Sequence, residues 1–151
     1  MKMNSTALLN LASVAALALA PAALHAAEDG SIRAQVSGMR SDDGKLACLL
    51  FDDKAGWPGK VEAAVAESRV QVSDGQGECV FPAVESGRYA VAVMHDENDD
   101  GKMKQNLIGI PREGYGASND AANGFMSGPK YEAAVFEHDG AGTRLSIEMR
   151  Y

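Results

Sequence analysis

Residues 88–118 read RYAVAVMHDENDDGKMKQNLIGIPREGYGAS, and this stretch decides how the chain is interpreted. Residues 89–94 alternate between the two faces of an extended strand, and both faces are apolar. A strand with two apolar faces is typical of the centre of a buried sheet. The strand leads through His95 into an acidic loop and then into glycine-rich turns, so the candidate chemistry lies where the strand ends.

Similar short strand patterns, separated by turn residues, lie on both sides of this stretch. Residues 45–51 also have two apolar faces, whereas residues 32–37 alternate apolar and polar side chains, as in a strand with one face in water. Apart from a helical turn or two in residues 61–67, little helix is expected. The seven predicted strands span residues 32–37, 45–51, 69–73, 78–84, 89–94, 131–138 and 143–151. We therefore predict an all-β fold, an antiparallel β-sandwich of immunoglobulin-like or transthyretin-like type.

The first 26 residues are typical of a secretory signal peptide. Lys2 precedes an apolar run over residues 7–20, and small residues follow at 21–27. The apolar run is shorter than the roughly 20 residues that cross a bilayer, so we expect no membrane span. The prediction is a periplasmic or secreted protein with a signal peptide over residues 1–26 and one domain over residues 27–151.

The charge balance excludes one class of partner. The chain has 14 Lys and Arg against 21 Asp and Glu, a net charge of -7. Nucleic acids are bound by clustered basic side chains that release counterions from the phosphates, so a nucleic-acid partner is not expected. The sequence also has no P-loop, no G-x-S-x-G elbow and no H-E-x-x-H helix, which favours a protein that is not an enzyme.

The chain has two cysteines, Cys48 and Cys79, both in predicted strands. An exported protein passes through an oxidising compartment, and an even number of cysteines there favours a disulfide between them. Two buried free thiols, packed as small hydrophobic side chains, are the alternative.

Three segments together resemble the bacterial family called domain of unknown function 2141. They are residues 87–93, the string HDEN at 95–98 and the string GIPREGYGASN at 109–119. The similarity covers nearly the whole mature chain, and it implies a small exported protein with a β-sandwich in the cell envelope. It implies no reaction and no ligand. The family pattern continues after the acidic loop with an acidic residue at the position that Lys104 occupies in this chain.

The acidic loop matches the first half of a calcium-binding loop. Asp96, Asn98 and Asp100 hold the first, third and fifth positions, and a glycine follows them. The second half does not match, because Lys104 and Leu107 stand where further oxygen ligands belong. A weak Ca2+ site and a solvated turn are therefore both open, and no other cofactor is expected.

Four side chains near loops are candidates for ligand binding: His95, Trp57, Tyr115 and Phe125. Aromatic side chains on the loops of a rigid sandwich are typical of sites for a sugar or a peptide. The same side chains can instead fold back onto the core of their own domain. His95 and His138, at the ends of predicted strands, are also candidate ligands of a transition metal, and exposed or structurally hydrogen-bonded histidines are the alternative.

These observations favour a non-catalytic binding or structural module of the cell envelope, with an envelope glycan or protein as partner. Its ligand face is predicted to combine the loops at residues 95–106 and 109–129. A weakly calcium-binding or calcium-stabilised module is the first alternative. A hydrolase of envelope glycans or peptides, with acidic residues of the 96–100 loop as acid and base, is the second.

Overall fold

A computed structural model of the chain describes residues 29–107, 111–122 and 128–151. The predicted signal peptide and Phe125 lie outside the described residues. Among those described, no helix has the length and apolar character needed to cross a membrane.

The described chain is a β-sandwich of two sheets, which confirms the predicted fold class. The smaller sheet has the order β4-β1-β8, and the larger sheet has the order β3-β2-β5-β6, with β7 paired to the start of β5. All neighbouring strands are antiparallel except β1 and β8, which are parallel. The strands are β1 Ile32–Ser37, β2 Lys45–Phe51, β3 Ala66–Gln71, β4 Gly77–Phe81, β5 Gly87–Asp96, β6 Gly114–Ala117, β7 Phe136–His138 and β8 Thr143–Glu148.

The two strands predicted to be central are central. In the larger sheet β2 lies between β3 and β5, and β5 lies between β2 and β6. Their inward side chains pack against the smaller sheet in one core, which includes Leu46, Leu50, Val91, Val93, Ile32, Val36, Phe81 and Ile147. The predicted disulfide is present and joins the sheets, since Cys48 lies in β2 and Cys79 in β4.

Three local predictions were wrong. The segment at 131–138 begins with a helical turn, Tyr131–Ala134, and only its last three residues form β7. The helical segment at 61–67 is reduced to the 3-10 turn Val61–Ala63, and β3 then begins at Ala66. The segment at 109–129 contains a strand, β6, where the sequence predicted only irregular loop.

The missed strand β6 contains two glycines, which usually weaken a strand. A Cβ at Gly114 would lie 2.7 Å from the Met149 side chain, and one at Gly116 would lie 2.9 Å from that of Ile147. Glycine is needed at both positions because β6 passes so close to the end of β8. Contact with a distant strand therefore overrides the local preference of the sequence.

Candidate functional site

The outer face of the larger sheet, the face turned away from the smaller sheet, is apolar at its centre. Strand register arranges its side chains in rows across the sheet. One row runs Arg69, Ala47, Met94 and Tyr115, and the next runs Glu67, Leu49, Ala92 and Ala117. Each row thus begins with a charged residue on β3 and becomes apolar toward β6.

One half of this outer face, around Phe51 and Ala90, is covered by the chain itself. The Trp57 ring packs edge-on against Phe51, with centroids 5.3 Å apart, and against Tyr131 at 5.7 Å. The Trp57 indole N–H also donates a hydrogen bond of 2.7 Å to the carbonyl oxygen of Pro129. Trp57 is therefore held against its own sheet, as in the alternative that the sequence left open for it.

Two residues of the glycine-rich segment hold this cover in place. The buried Ser118 hydroxyl accepts the Val91 N–H at 3.0 Å and donates to the Ala134 carbonyl at 2.6 Å. The Asn119 amide donates to the Val135 carbonyl at 2.8 Å. These bonds attach the helical turn Tyr131–Ala134 to the middle of β5, which gives the last residues of the GYGASN string a structural role.

The other half of the outer face is the floor of a cavity of about 640 Å³, which we call the outer-face pocket. Ala47, Leu49, Ala92 and Met94 form its floor. Cavities that bind small molecules are usually about 300 to 1,000 Å³ and mostly apolar, so the pocket has the size and character of such a site.

The walls of the outer-face pocket come from three loops. Pro58, Gly59 and Val61 contribute from the loop after β2, and Gly128 and Pro129 from the segment before the helical turn. The third wall, from the loop after β5 and from β6, contains Gly101, Met103, Gln105, Pro111 and Tyr115. Both loops predicted to form the ligand face therefore contribute to this pocket, and of the four predicted ligand residues Tyr115 lines it.

The third wall is attached to β6 through backbone contacts of Lys104. The Lys104 N–H donates to the buried Glu113 carboxylate at 2.9 Å, and the Lys104 carbonyl accepts the Arg112 N–H at 2.7 Å. Lys104 thus holds the wall in place through its backbone hydrogen bonds. These bonds do not depend on the charge of its side chain.

Three charged side chains line the pocket: Glu67, Arg69 and Lys102. Arg69 bonds two carboxylates, Asp96 at 2.8 Å and Asp99 at 3.0 Å, and lies 3.7 Å from Glu67. Lys102, in contrast, has no carboxylate within 4 Å in the described part of the chain. The pocket therefore combines an apolar floor with one unpaired ammonium group.

A model of one protein family matches residues 34–146 of the chain. Its members are described as uncharacterized proteins conserved in bacteria. The chain belongs to the DUF2141 family. Comparison with curated proteins and with solved structures found no match for it.

In this DUF2141 protein the acidic loop is organised around the buried side chain of Asp96. Its Oδ1 accepts the Asp100 N–H at 3.1 Å, and its Oδ2 accepts the Gly101 N–H at 2.8 Å together with the bond from Arg69. Both carboxylate oxygens of the first predicted calcium ligand are therefore in use, and the loop folds around them as an Asx-type turn.

The other two predicted calcium ligands contact each other. The Asn98 amide donates to the Asp100 carboxylate at 2.6 Å, and this bond lowers the pKa of Asp100. The second Asp100 oxygen accepts the Lys102 N–H at 2.9 Å. Within residues 29–107, 111–122 and 128–151, no three His, Cys, Asp or Glu side chains converge as metal ligands. The calcium site stays a prediction.

His95 lies on the inner side of β5, at the end of the sandwich, rather than in the outer-face pocket. It is fully buried, and its ring nitrogens contact the Tyr151 hydroxyl at 2.6 Å and the Asp43 carbonyl at 2.8 Å. Because a carbonyl only accepts, Nε2 donates to Asp43 and Nδ1 accepts from Tyr151. His138 lies at the opposite end of β5, opposite Gly87, so the two histidines do not meet.

Arg40 closes the network around His95. Its backbone N–H donates to the Tyr151 hydroxyl at 3.0 Å, and its guanidinium lies 4.4 Å from the centre of the Tyr151 ring. The same guanidinium donates two hydrogen bonds to Glu97, at 2.6 and 2.7 Å, and thereby lowers the pKa of that carboxyl. Burial raises the pKa of Tyr151, so its hydroxyl stays protonated and continues to donate to His95.

Sequence reasoning missed the floor of the pocket. Ala47 and Ala92 carry no chemical signature, and only their position on the outer face of a central strand gives them a role. The signal was present in residues 45–51 and 89–94, whose two apolar faces both require a cover. One face is covered by the smaller sheet, whereas the described residues cover the other face over about half of its length.

Proposed function

We propose that this DUF2141 protein is an exported, non-catalytic binding module that holds a small, largely apolar ligand in the outer-face pocket. The observation that carries the proposal is the apolar floor of Ala47, Leu49, Ala92 and Met94, which lies under a cavity of about 640 Å³. Apolar surface of this kind is unfavourable in water, and a ligand that covers it gains about 25 cal/mol for each Å² removed from water.

The floor supports the proposal through the size of its side chains. Each row has an alanine at one of its two central positions, Ala47 in one row and Ala92 in the other, where a larger apolar residue would fill the space from below. Along β2 the outward side chain decreases in size from Phe51, which the Trp57 ring covers, through Leu49 to Ala47 at the cavity.

The pocket favours a small ligand over the envelope glycan that the sequence suggested. Binding of a sugar relies on an aromatic ring that is free to stack. Trp57 is engaged with Phe51, Tyr131 and Pro129, and of the predicted aromatic platform only Tyr115 lines the cavity among the described residues.

Export to the periplasm or beyond is part of the proposal. It is supported by the signal-like first 26 residues and by the inter-sheet disulfide, which is a bond typical of oxidising compartments. A ligand of the module is then a molecule of the cell envelope or its surroundings.

A neutral fluorescent probe tests the proposal. N-phenyl-1-naphthylamine, whose emission rises in apolar surroundings, should bind the mature protein saturably in a one-to-one ratio. Ala92→Phe fills the pocket and should weaken probe binding at least about tenfold, which corresponds to about 1.4 kcal/mol. The matched control is Ala141→Phe, at an exposed position in the turn between β7 and β8.

Melting curves of both variants show whether each one is folded. Ala47→Leu is a second pocket variant, and it adds less volume than Ala92→Phe. A wild-type protein that binds no probe contradicts the proposal. So does a folded Ala92→Phe or Ala47→Leu variant that binds the probe as tightly as the wild type.

A further inference from the structure

We infer that the ligand of the outer-face pocket is an amphipathic anion: an aliphatic chain lies on the floor, and a single carboxylate or phosphate head pairs with Lys102. The inference rests on the proposed function and adds to it the class of ligand. It is carried by the distribution of charge around the pocket.

The charges that line the pocket are paired except at one residue. Arg69 lies within 4 Å of Glu67, Asp96 and Asp99, so its charge is balanced by carboxylates. Lys102 also lines the pocket, and no ion pair to it is present in the described part of the chain. A single unpaired cation beside an apolar floor favours a ligand with one negatively charged group.

The two basic side chains are not equivalent. Arg69 is occupied, since its guanidinium bonds the buried carboxylate of Asp96 and the carboxylate of Asp99. These contacts fix the acidic loop against β3 and leave Arg69 with little capacity for a further anion. Lys102 is the basic lining residue that keeps a free ammonium group in the described part of the chain.

The acidic loop fixes the position of the Lys102 backbone. The Lys102 N–H is bonded to the Asp100 carboxylate, and the preceding Gly101 N–H is bonded to the buried Asp96 carboxylate. The backbone is therefore held at the rim while the long side chain stays free to reach a head group. The acidic residues that the sequence suggested as calcium ligands thus serve to place a lysine.

The floor and the rim of the pocket suit the two ends of such a ligand. An aliphatic chain that lies across Ala47 and Ala92 toward Tyr115 buries apolar surface along its length. Its head then lies beside the acidic loop, at the rim where Lys102 is exposed.

The other head groups fit less well. A neutral head beside Lys102 forms no charge-assisted hydrogen bond with its ammonium group, so it gains less than an anionic head does. A cationic head meets the same ammonium at close range and is repelled. Glu67 does not offset this repulsion, because it already lies near Arg69.

The test compares ligands that share one chain and differ in the head. Calorimetric titration of the mature protein uses dodecanoate, dodecyl phosphate, dodecanol and dodecyltrimethylammonium, all below their micellar concentrations. We expect the two anions to bind about tenfold more tightly than dodecanol, because only the anions form a charge-assisted hydrogen bond with Lys102. Added salt should weaken binding of the anions and leave dodecanol almost unaffected.

Substitution of the lysine separates the head from the chain. Lys102→Ala should reduce the affinity for dodecanoate about tenfold and leave that for dodecanol unchanged. The matched control is Lys54→Ala, which removes the same charge from an exposed position outside the pocket. A preference of dodecanoate over dodecyl phosphate identifies a fatty-acid-like head, and the reverse identifies a phosphate ester.

The possible failures are distinguishable. If dodecanol and dodecanoate bind equally and Lys102→Ala has no effect, the inference is overturned and the proposed function stands. If dodecyltrimethylammonium binds best, the inference is also overturned, with Glu67 as the partner of the head. If none of the four ligands binds, the proposed function fails together with the inference.

Discussion

The two faces of β5 differ in what covers them. Val91, Val93 and His95 point inward. The two valines pack in the core between the sheets, and His95 is buried against Asp43 and Tyr151. Ala90 and Ala92 point outward. The chain itself covers Ala90, whereas Ala92 lies under the cavity. Both faces are apolar, and they differ mainly in the size of their side chains. An apolar face therefore indicates that water is excluded. The size of a side chain does not by itself indicate what excludes the water, because Ala90 lies under the chain itself and Ala92 under the cavity.

Removal of the disulfide should reduce the free energy of unfolding more than the other changes do. It should loosen the packing between the two sheets and leave the outer-face pocket unchanged. The bond joins residues 31 positions apart, so a Cys48→Ala, Cys79→Ala double variant should lose about 3 to 4 kcal/mol of unfolding free energy on the chain-entropy model. Urea denaturation measures the loss. The folded fraction should bind N-phenyl-1-naphthylamine as the wild type does, and a large drop in its affinity would show that the two faces are coupled.

A pair of substitutions on opposite faces of the larger sheet, one in β2 and one in β5, sharpens the comparison. Leu50→Ala leaves a cavity in the inner core and should cost about 2 to 4 kcal/mol. Ala92→Leu, on the outer face, should cost less than about 1 kcal/mol because the pocket has room for the added carbons. Equal losses in urea denaturation would mean that the outer face is as closely packed as the inner one.

The covered and open halves of the outer face can be separated in the same way. Trp57→Ala removes a ring that packs on Phe51 and Tyr131, and it should cost about 2 kcal/mol, less than for a fully buried ring. Tyr115→Ala should cost less stability and should weaken binding of the neutral probe, since Tyr115 lines the pocket. The opposite result, with Trp57 controlling affinity and Tyr115 controlling stability, would exchange the roles of the two halves.

Glu97 gives a smaller, pH-dependent effect at the inner side of β5. Its pKa is lowered in the folded state by Arg40, so the ion pair stabilises the fold above the ordinary pKa of glutamate, about 4.3. This contribution is lost as the pH falls through the lower pKa of the folded state. Because half of the Arg40 side chain is exposed, Glu97→Gln should cost at most about 1 kcal/mol at neutral pH.

Melting curves of wild type and Glu97→Gln at a series of pH values check this prediction. The difference between them should shrink toward acid pH. A difference that stays constant down to the acid transition would mean that the side chain contributes through packing and not through its charge.

Calcium should have the smallest effect. A cation at the acidic loop has to compete with Arg69 and two backbone N–H groups for Asp96, and with Lys45 and Arg69 for Asp99. We therefore expect millimolar calcium to leave the melting temperature at the value measured with a chelator, with magnesium as the control ion. An increase that is specific for calcium and absent in Asp100→Asn would establish the site and contradict this expectation.

The sequence predicted the parts of the fold that depend on alternation and on turn residues. The central position of β2 and β5 and the sandwich follow from residues that are apolar at a strand period. The pairing of Cys48 with Cys79 follows from an even number of cysteines in a chain expected to be exported. Strand β6 could not be predicted, because its glycines are explained only by the close approach of β8.

The site could not be predicted because distant residues define it. The Trp57 indole donates a hydrogen bond to Pro129, 72 positions away in the sequence. His95 contacts Asp43 and Tyr151, which lie more than 50 positions before and after it. These contacts decide which half of the outer face is covered and remove His95 and Trp57 from the pocket. No pattern within a window of ten residues contains that information.

The parallel pairing of β1 with β8 has a consequence for the order of folding. Strand β1 is the middle strand of the smaller sheet, and Ile32 pairs with Phe81 on one side and with Thr143 on the other. Strand β1 can therefore complete its pairing only when β8 is available, and such non-local pairing makes folding slow. Under the proposed export through a translocation channel, this connectivity would postpone completion of the sandwich until nearly the whole chain has emerged.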